Sequence, residues 1–268
     1  MNLLLRVLSG AILLAVVAAA LWVGTPWVTA VVGVVTLVAA WEYAGLAARV
    51  GFKPAGWLLY PLAAWLAVRF ALPVAYRATD WPLIAALVIG GLGTLLVERS
   101  RRGWASAVTG AVYLGFCLGF FVALYQWRVP DTSHFGLRLV ALSLLAVFVG
   151  DTAAYLAGSA LGRHPFFASI SPRKTVEGAI AGAAATILAA ALAGPALVSL
   201  AAPAALGLGV LLAVVSQGGD LLESAFKREA GVKDSSNLIP GHGGLLDRAD
   251  SLVLVGPVVY CYLKLISF

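Results

Sequence analysis

The residues that could do chemistry crowd one stretch of the chain, Ser224 to Asp250, which reads SAFKREAGVKDSSNLIPGHGGLLDRAD. Lys227, Arg228, Lys233, Asp234, His242, Asp247, Arg248 and Asp250 stand there between two apolar runs. Polar side chains at that density are expensive to keep beside a bilayer, so they mark a bound ligand. Mixed bases and acids suit phosphates held with a metal ion. Lys and Arg neutralise phosphate oxygens, while Mg²⁺ takes carboxylate oxygens together with substrate phosphates. Asp220 and Asp247 could supply such ligands from two segments, with Asp151 and Asp250 as further candidates. Asp247 or Asp250 could equally cap the start of the last helix, favoured by its dipole. The glycines of Pro240-Gly241-His242-Gly243-Gly244 permit positive φ, and so either an anion-binding nest or a plain turn. His242 is the one histidine among the charges, a candidate for phosphate contact or proton transfer.

Upstream residues offer a second set. On a helix, Ser216, Asp220, Glu223 or Ser224, and Lys227 share one face, with Asp220 about 10 Å along the axis from Lys227. A carboxylate within a span costs about 2.5–3.5 kcal/mol unless paired or hydrated. Asp220 is therefore either functional or an internal ion pair with Lys227. Asp151 and Tyr155 present an acid and a phenol on one face of an earlier helix. Ser171-Pro172-Arg173-Lys174 reads as a helix start, Ser171 as N-cap and Pro172 at the first position. By themselves Arg173 and Lys174 look like interfacial anchors. The spacings Gly158/Gly162 and Gly178/Gly182 suit close helix packing. Glu42, between Trp41 and Tyr43, is an acid with no evident task. Neither a phosphate-binding Walker loop nor a dinucleotide fingerprint occurs.

The elements that must position these groups are helices in a membrane. Of 268 residues 62% are apolar and only 11% charged, with mean hydropathy +0.97 and net charge +6. Soluble domains average about 45–50% apolar and about 25% charged. An all-α, polytopic integral membrane protein is expected, with helices near 7–23, 26–46, 57–73, 81–97, 104–127, 137–160, 175–199, 203–226 and 250–267. Pro26, Pro73, Pro82, Pro203 and Pro257 fall at or near their ends. The first is read as a retained helix rather than a secretory signal. Thirteen of the eighteen basic residues fall on one side of this topology. That side is expected to be cytoplasmic, with the amino terminus and the Ser224–Asp250 stretch on it. The expected location is the inner cell membrane. All eight tryptophans lie between Trp22 and Trp127, while eight of the twelve acids lie within residues 151–250. One transmembrane domain over 1–268 is expected, its residues 1–135 mainly scaffold and 136–268 the chemical half. Cys117 and Cys261 read as buried apolar residues.

With these residues in view, a resemblance emerges. The run S-x-F-K-R-x4-K-D-x-S-x2-I-P-x-H-G-G-L-x-D-R-x-D, Ser224 to Asp250, resembles the signature of phosphatidate cytidylyltransferases. Ala249 stands where that family usually has a larger apolar residue. Asp151 to Gly158 (D-x-x-A-Y-x-x-G) and Ser171 to Gly178 (S-P-[RK]-K-T-x-E-G) are similar to further elements of the family. The resemblance implies conversion of CTP and phosphatidic acid to CDP-diacylglycerol and pyrophosphate. It implies a helical membrane enzyme, usually a homodimer, in which Asp220 and Asp247 hold Mg²⁺ and K⁺ is a candidate second cation. It implies catalytic roles for Lys227, Arg228, Lys233, Asp234, His242 and Arg248, and makes Arg173, Lys174, Ser224, Gly243 and Gly244 substrate-binding residues. Nucleic acid is not an expected partner. Two other readings of the bare residues stay open: a CTP-dependent lipid-alcohol kinase, and a secondary transporter for an anionic metabolite.

Overall fold

The structure, a computed structural model, describes residues 3–72, 88, 100–130 and 132–266. All regular elements among them are helical. They are α1 (Leu3–Val23), α2 (Thr25–Arg49), α3 (Gly56–Val68) with a 3₁₀ turn (Arg69–Ala71), and α4 (Ser100–Gly110). A π turn (Ala111–Phe116) leads to α5 (Cys117–Tyr125), followed by α6 (Phe135–Leu161), α7 (Val176–Val198), α8 (Ala202–Glu229), α9 (Leu246–Ala249) and α10 (Val255–Leu265). Apart from Val88, the expected span 81–97 and its neighbours Pro73, Arg77, Pro82, Glu98 and Arg99 lie outside the described residues.

Among the described residues, five helices are long and apolar enough to cross a bilayer: Thr25–Arg49, Arg102–Tyr125, Phe135–Leu161, Val176–Val198 and Ala202–Glu229. Each agrees with an expected span to within a few residues. Leu8–Val23, Gly56–Ala71 and Val255–Leu265 are apolar but shorter. The last span departs most from expectation, because α10 starts at Val255 and not near 250. Asp250 Oδ1 accepts from the backbone N–H of Ser251 at 2.7 Å and from its hydroxyl at 3.2 Å. Such local side-chain bonds offer the backbone an alternative to the helix. Pro26 lies in the first turn of α2, where its missing N–H is harmless. Pro61 and Pro195, by contrast, sit inside α3 and α7. Membrane helices tolerate this where neighbouring groups take up the freed carbonyl. Cys117 is half-buried, and Cys261 is exposed rather than buried as expected.

The chain forms two compact units, Met1–Ala123 with Glu229–Ala249, and Leu124–Arg228 with Asp250–Phe268. In the first, α3 buries Leu58, Leu59, Leu62 and Leu66. A side chain at Gly119 would come within 2.6 Å of Leu66 O, so glycine is what lets these backbones approach. Phe120 stacks at 4.9 Å from both Phe70 and Phe116. In the second unit α6 and α7 lie against each other along glycines. A Cβ on Gly182 would reach Ala154 Cβ at 2.8 Å and Gly150 O at 3.0 Å, and Gly178 faces Gly158. Small residues bring helices close where lipid gives no hydrophobic drive to associate. The same unit anchors α10 through Trp127, which stacks on Tyr260 at 5.2 Å and lies 4.9 Å from the Lys264 ammonium.

Candidate functional site

Polar residues gather in two clusters, one in each unit. In the second unit the cluster starts from the hairpin that precedes α7. Pro165 and Thr175 form a bridge, Phe166 N–H donates to Lys174 O at 2.9 Å, and Val176 N–H donates to His164 O at 2.9 Å. Glu177 closes the hairpin. Its carboxylate accepts from the N–H groups of Arg163 (3.1 Å) and His164 (3.3 Å) and lies 2.6 Å from His164 Nδ1. The helix then begins at Val176, capped by Thr175, whose hydroxyl accepts from Gly178 N–H at 3.2 Å. This corrects the expected cap at Ser171: the hairpin pairing holds Lys174 and Thr175 extended, so no helix can form until Thr175 has capped it.

Held extended, Lys174 forms an ion pair with Asp220 of α8, both side chains 29% exposed. Ser224, one turn on, donates to Asp220 Oδ1 at 3.3 Å. Three of the expected site residues thus meet. The alternative reading of Asp220, an ion pair with Lys227, does not form. Lys227 instead donates to Glu223 at 2.9 Å, and both are buried. The i,i+4 spacing brings that acid within easy reach, whereas Asp220 lies almost two turns away. Arg228 Nε donates to Ile170 O at 3.1 Å, and Arg173 is exposed. Asp151 and Tyr155 also stand on an exposed face of α6.

The first unit contains the 229–249 loop, folded around two buried carboxylates. Asp247, in the four-residue α9, accepts at Oδ2 from Ser235 N–H (2.8 Å), Ser235 Oγ (2.9 Å) and Gly244 N–H (2.8 Å). Glu42, only 2% exposed, reaches across from α2. Its Oε1 accepts from the Ser236 hydroxyl and from Leu245 N–H (2.9 Å), and its Oε2 from Leu246 N–H (2.6 Å). The glycines between them are a true turn. Gly241 and Gly243 have φ of 82° and 81°, and Ile239 N–H donates to Gly243 O at 2.8 Å. A Cβ on Gly244 would meet Glu42 Oε1 at 2.5 Å. His242 Nδ1 lies 2.8 Å from Ser9 Oγ of α1, and that hydroxyl also donates to Pro240 O at 3.3 Å. Lys233, Asp234 and Arg248 project from the loop, exposed.

Comparison with known proteins shows the family of the chain. A family model described as the cytidylyltransferase family matches residues 4–266. The chain belongs to this family. A phosphatidate cytidylyltransferase of Synechocystis sp. (strain ATCC 27184 / PCC 6803 / Kazusa) is 31% identical over 97% of this chain and 96% of its own length. That of Brucella suis biovar 1 (strain 1330) is 40% identical over 74% of this chain and 71% of its own. The Bacillus subtilis (strain 168) enzyme of the same name is 37% identical over 59% and 57%.

A cytidylyltransferase handles phosphates, and the donor chemistry here suits a hard cation. Among the described residues no three His, Cys, Asp or Glu side chains gather into an all-protein metal cage. Mg²⁺ seldom needs one, binding through one or two carboxylates with substrate phosphates completing its shell. Asp220 is a partly exposed carboxylate, and Asp247 is fixed by three donors on one oxygen. Ligating carboxylates are commonly oriented by just such hydrogen bonds. Sequence reasoning left Glu42 without a role and passed over Ser9 and Ser235, while Ser236 entered only as a fixed position of the signature. The one signal available for Glu42 was its charge within a span.

Proposed function

We propose that this cytidylyltransferase transfers the cytidylyl group of CTP to phosphatidic acid, yielding CDP-diacylglycerol and pyrophosphate for phospholipid synthesis. The observation that carries this reading is the alignment with the Synechocystis phosphatidate cytidylyltransferase along nearly the whole of both chains. Two anions must meet, so cations do most of the work. Lys227, Arg228, Lys233 and Arg248 neutralise the triphosphate and the leaving pyrophosphate, and Arg173 and Lys174 take the lipid phosphate. A phosphate oxygen of the lipid attacks the α-phosphorus in line; a new P–O bond forms as the bond to the β-phosphate bridge oxygen breaks. That oxygen is already ionised near pH 7, so no strong general base is needed.

Asp220 and Asp247, with Asp151 and Asp250 as further candidates, are the groups for Mg²⁺. When bound, the ion offsets phosphate charge and polarises the α-phosphate. Ser224, which donates to Asp220, is proposed to bind substrate beside it, and Asp234, next to Ser235 in the loop, to take part in catalysis. Gly243 and Gly244 keep the turn narrow enough for backbone amides to approach phosphate, with His242 a phosphate contact. The distribution of basic residues supports a cytoplasmic active site and amino terminus in the inner cell membrane. The working form is proposed to be a homodimer, with K⁺ as a second cation.

The test is product analysis with purified protein, phosphatidic acid, Mg²⁺ and CTP labelled separately in its α- and γ-phosphates. The α-label should enter the lipid and the γ-label leave in pyrophosphate. Transfer of γ-label to an added lipid alcohol with release of CDP would replace this reading with a lipid kinase.

A further inference from the structure

Among the described residues of the amino-terminal half stands one acid, Glu42, that the chemistry above does not use. We propose that Glu42 is a positioning residue for the nucleotide-handling loop, setting the geometry of Lys233, Asp247 and Arg248 from α2 without touching substrate. Its kinetic consequence rests on the cytidylyltransferase reading; its grip on the loop does not.

Glu42 is nearly inaccessible, and its two carboxylate oxygens accept from three donors of one segment: the Ser236 hydroxyl and the N–H groups of Leu245 and Leu246. Leu245 and Leu246 are the last residues before Asp247, so the carboxylate satisfies the open N–H groups where α9 begins. Ser236 adjoins Ser235, whose N–H and hydroxyl hold Asp247. Glu42 therefore grips both arms of the loop on either side of the Gly241–Gly244 turn. Asp247 grips the same two arms one residue along in each case. Two carboxylates side by side, each a hub of three bonds, fix the register of the loop. Gly244 sits between them with no room for a side chain.

A carboxylate suits this pattern as no other side chain does. All three partners are donors, so an acceptor-only group meets every one of them. Glutamine would put an NH₂ against one of these donors and leave it unsatisfied. Bonds to ionised acceptors are the stronger kind, so Glu42→Gln should loosen the loop by about tenfold or more in any property that depends on its register.

The experiment compares full-length wild type with Glu42→Gln and Glu42→Asp in detergent with lipid. The first measurement is hydrogen exchange at the Leu245 and Leu246 amides, which needs no activity. The second is steady-state kinetics with CTP and phosphatidic acid varied separately. In Glu42→Gln we expect faster exchange at both amides and a roughly tenfold higher KM for CTP with lower kcat, the KM for phosphatidic acid changing by less than about twofold. Glu42→Asp should restore part of both, since it keeps the charge. A purely structural Glu42 would lower the amount of active enzyme, so kcat alone would fall and both KM values would stay put. That result, or unchanged exchange at Leu245 and Leu246, overturns the proposal. If wild type transfers no cytidylyl group, the function reading fails by itself, and the exchange measurement still decides whether Glu42 holds the loop.

Discussion

The ion pair between Lys174 and Asp220 offers a sharp test of whether this cluster is glue or machinery. Both partners are charged, in contact, and 29% exposed. Pairs that water can reach contribute about 0.2–1 kcal/mol. Removing both charges together, with Lys174→Met/Asp220→Asn, should therefore lower stability by about 1 kcal/mol or less, a shift of at most about 2–4 °C in the unfolding midpoint of a chain this size. Lys174→Met alone, by contrast, leaves the Asp220 carboxylate unpaired within α8, at about 2.5–3.5 kcal/mol unless hydrated. A role in neutralising substrate predicts far more. A roughly hundredfold loss of turnover corresponds to about 2.7 kcal/mol of transition-state stabilisation, beyond what the pair can lose as structure. The decisive protein is the double variant Lys174→Met/Asp220→Asn, which leaves neither charge unpaired. Glue would recover in the double variant, because the uncompensated partner is gone; machinery would not. The assay is initial-rate cytidylyl transfer normalised to folded protein, with thermal unfolding followed in the same detergent. Activity in the double variant within about threefold of wild type would refute the catalytic assignment of both residues.

Other outcomes follow from the same geometry. Asp247→Asn keeps an oxygen for Ser235 and Gly244, so it should insert and fold yet lose turnover about a hundredfold or more, about 2.7 kcal/mol; near-normal rates would remove Asp247 from the metal-ligand set. Gly244→Ala drives a methyl against Glu42 and Ser235, and overpacking of this kind costs about 1–3 kcal/mol, measurable as a lower unfolding midpoint with raised KM for CTP. Chelation of Mg²⁺ should abolish transfer while moving the unfolding midpoint by less than about 2 °C, since protein donors already hold Asp220 and Asp247. Glu177→Gln weakens the closure of the 163–176 hairpin and should raise the KM for phosphatidic acid more than that for CTP.

The long helices were legible because apolar runs bounded by charge leave few alternatives in a bilayer, and α6, α7 and α8 fall where hydropathy puts them. What composition could not reveal was pairing. Lys227 and Asp220 share a helical face, yet each finds a different partner, because Lys174 arrives from a hairpin 46 positions earlier and Glu223 lies one turn away. Ser171-Pro172 carries a familiar helix-start signature, and the hairpin overrides it. Asp247 stood out by its charged neighbours. Glu42 did not, since its donors are backbone amides and a serine about 200 positions away, invisible to any local pattern.

That separation has a consequence for biogenesis. Glu42 is made early, and its partner Leu246 comes 204 residues later. At about 5–20 residues per second of synthesis, the acid waits on the order of 10–40 seconds for the groups that satisfy it. Until residue 236 is added, α2 holds a carboxylate about 10 Å in from its Arg49 end with none of these three donors yet made. A nascent chain stopped before residue 236 lacks all three of these donors permanently and keeps a carboxylate inside α2 that the complete chain satisfies.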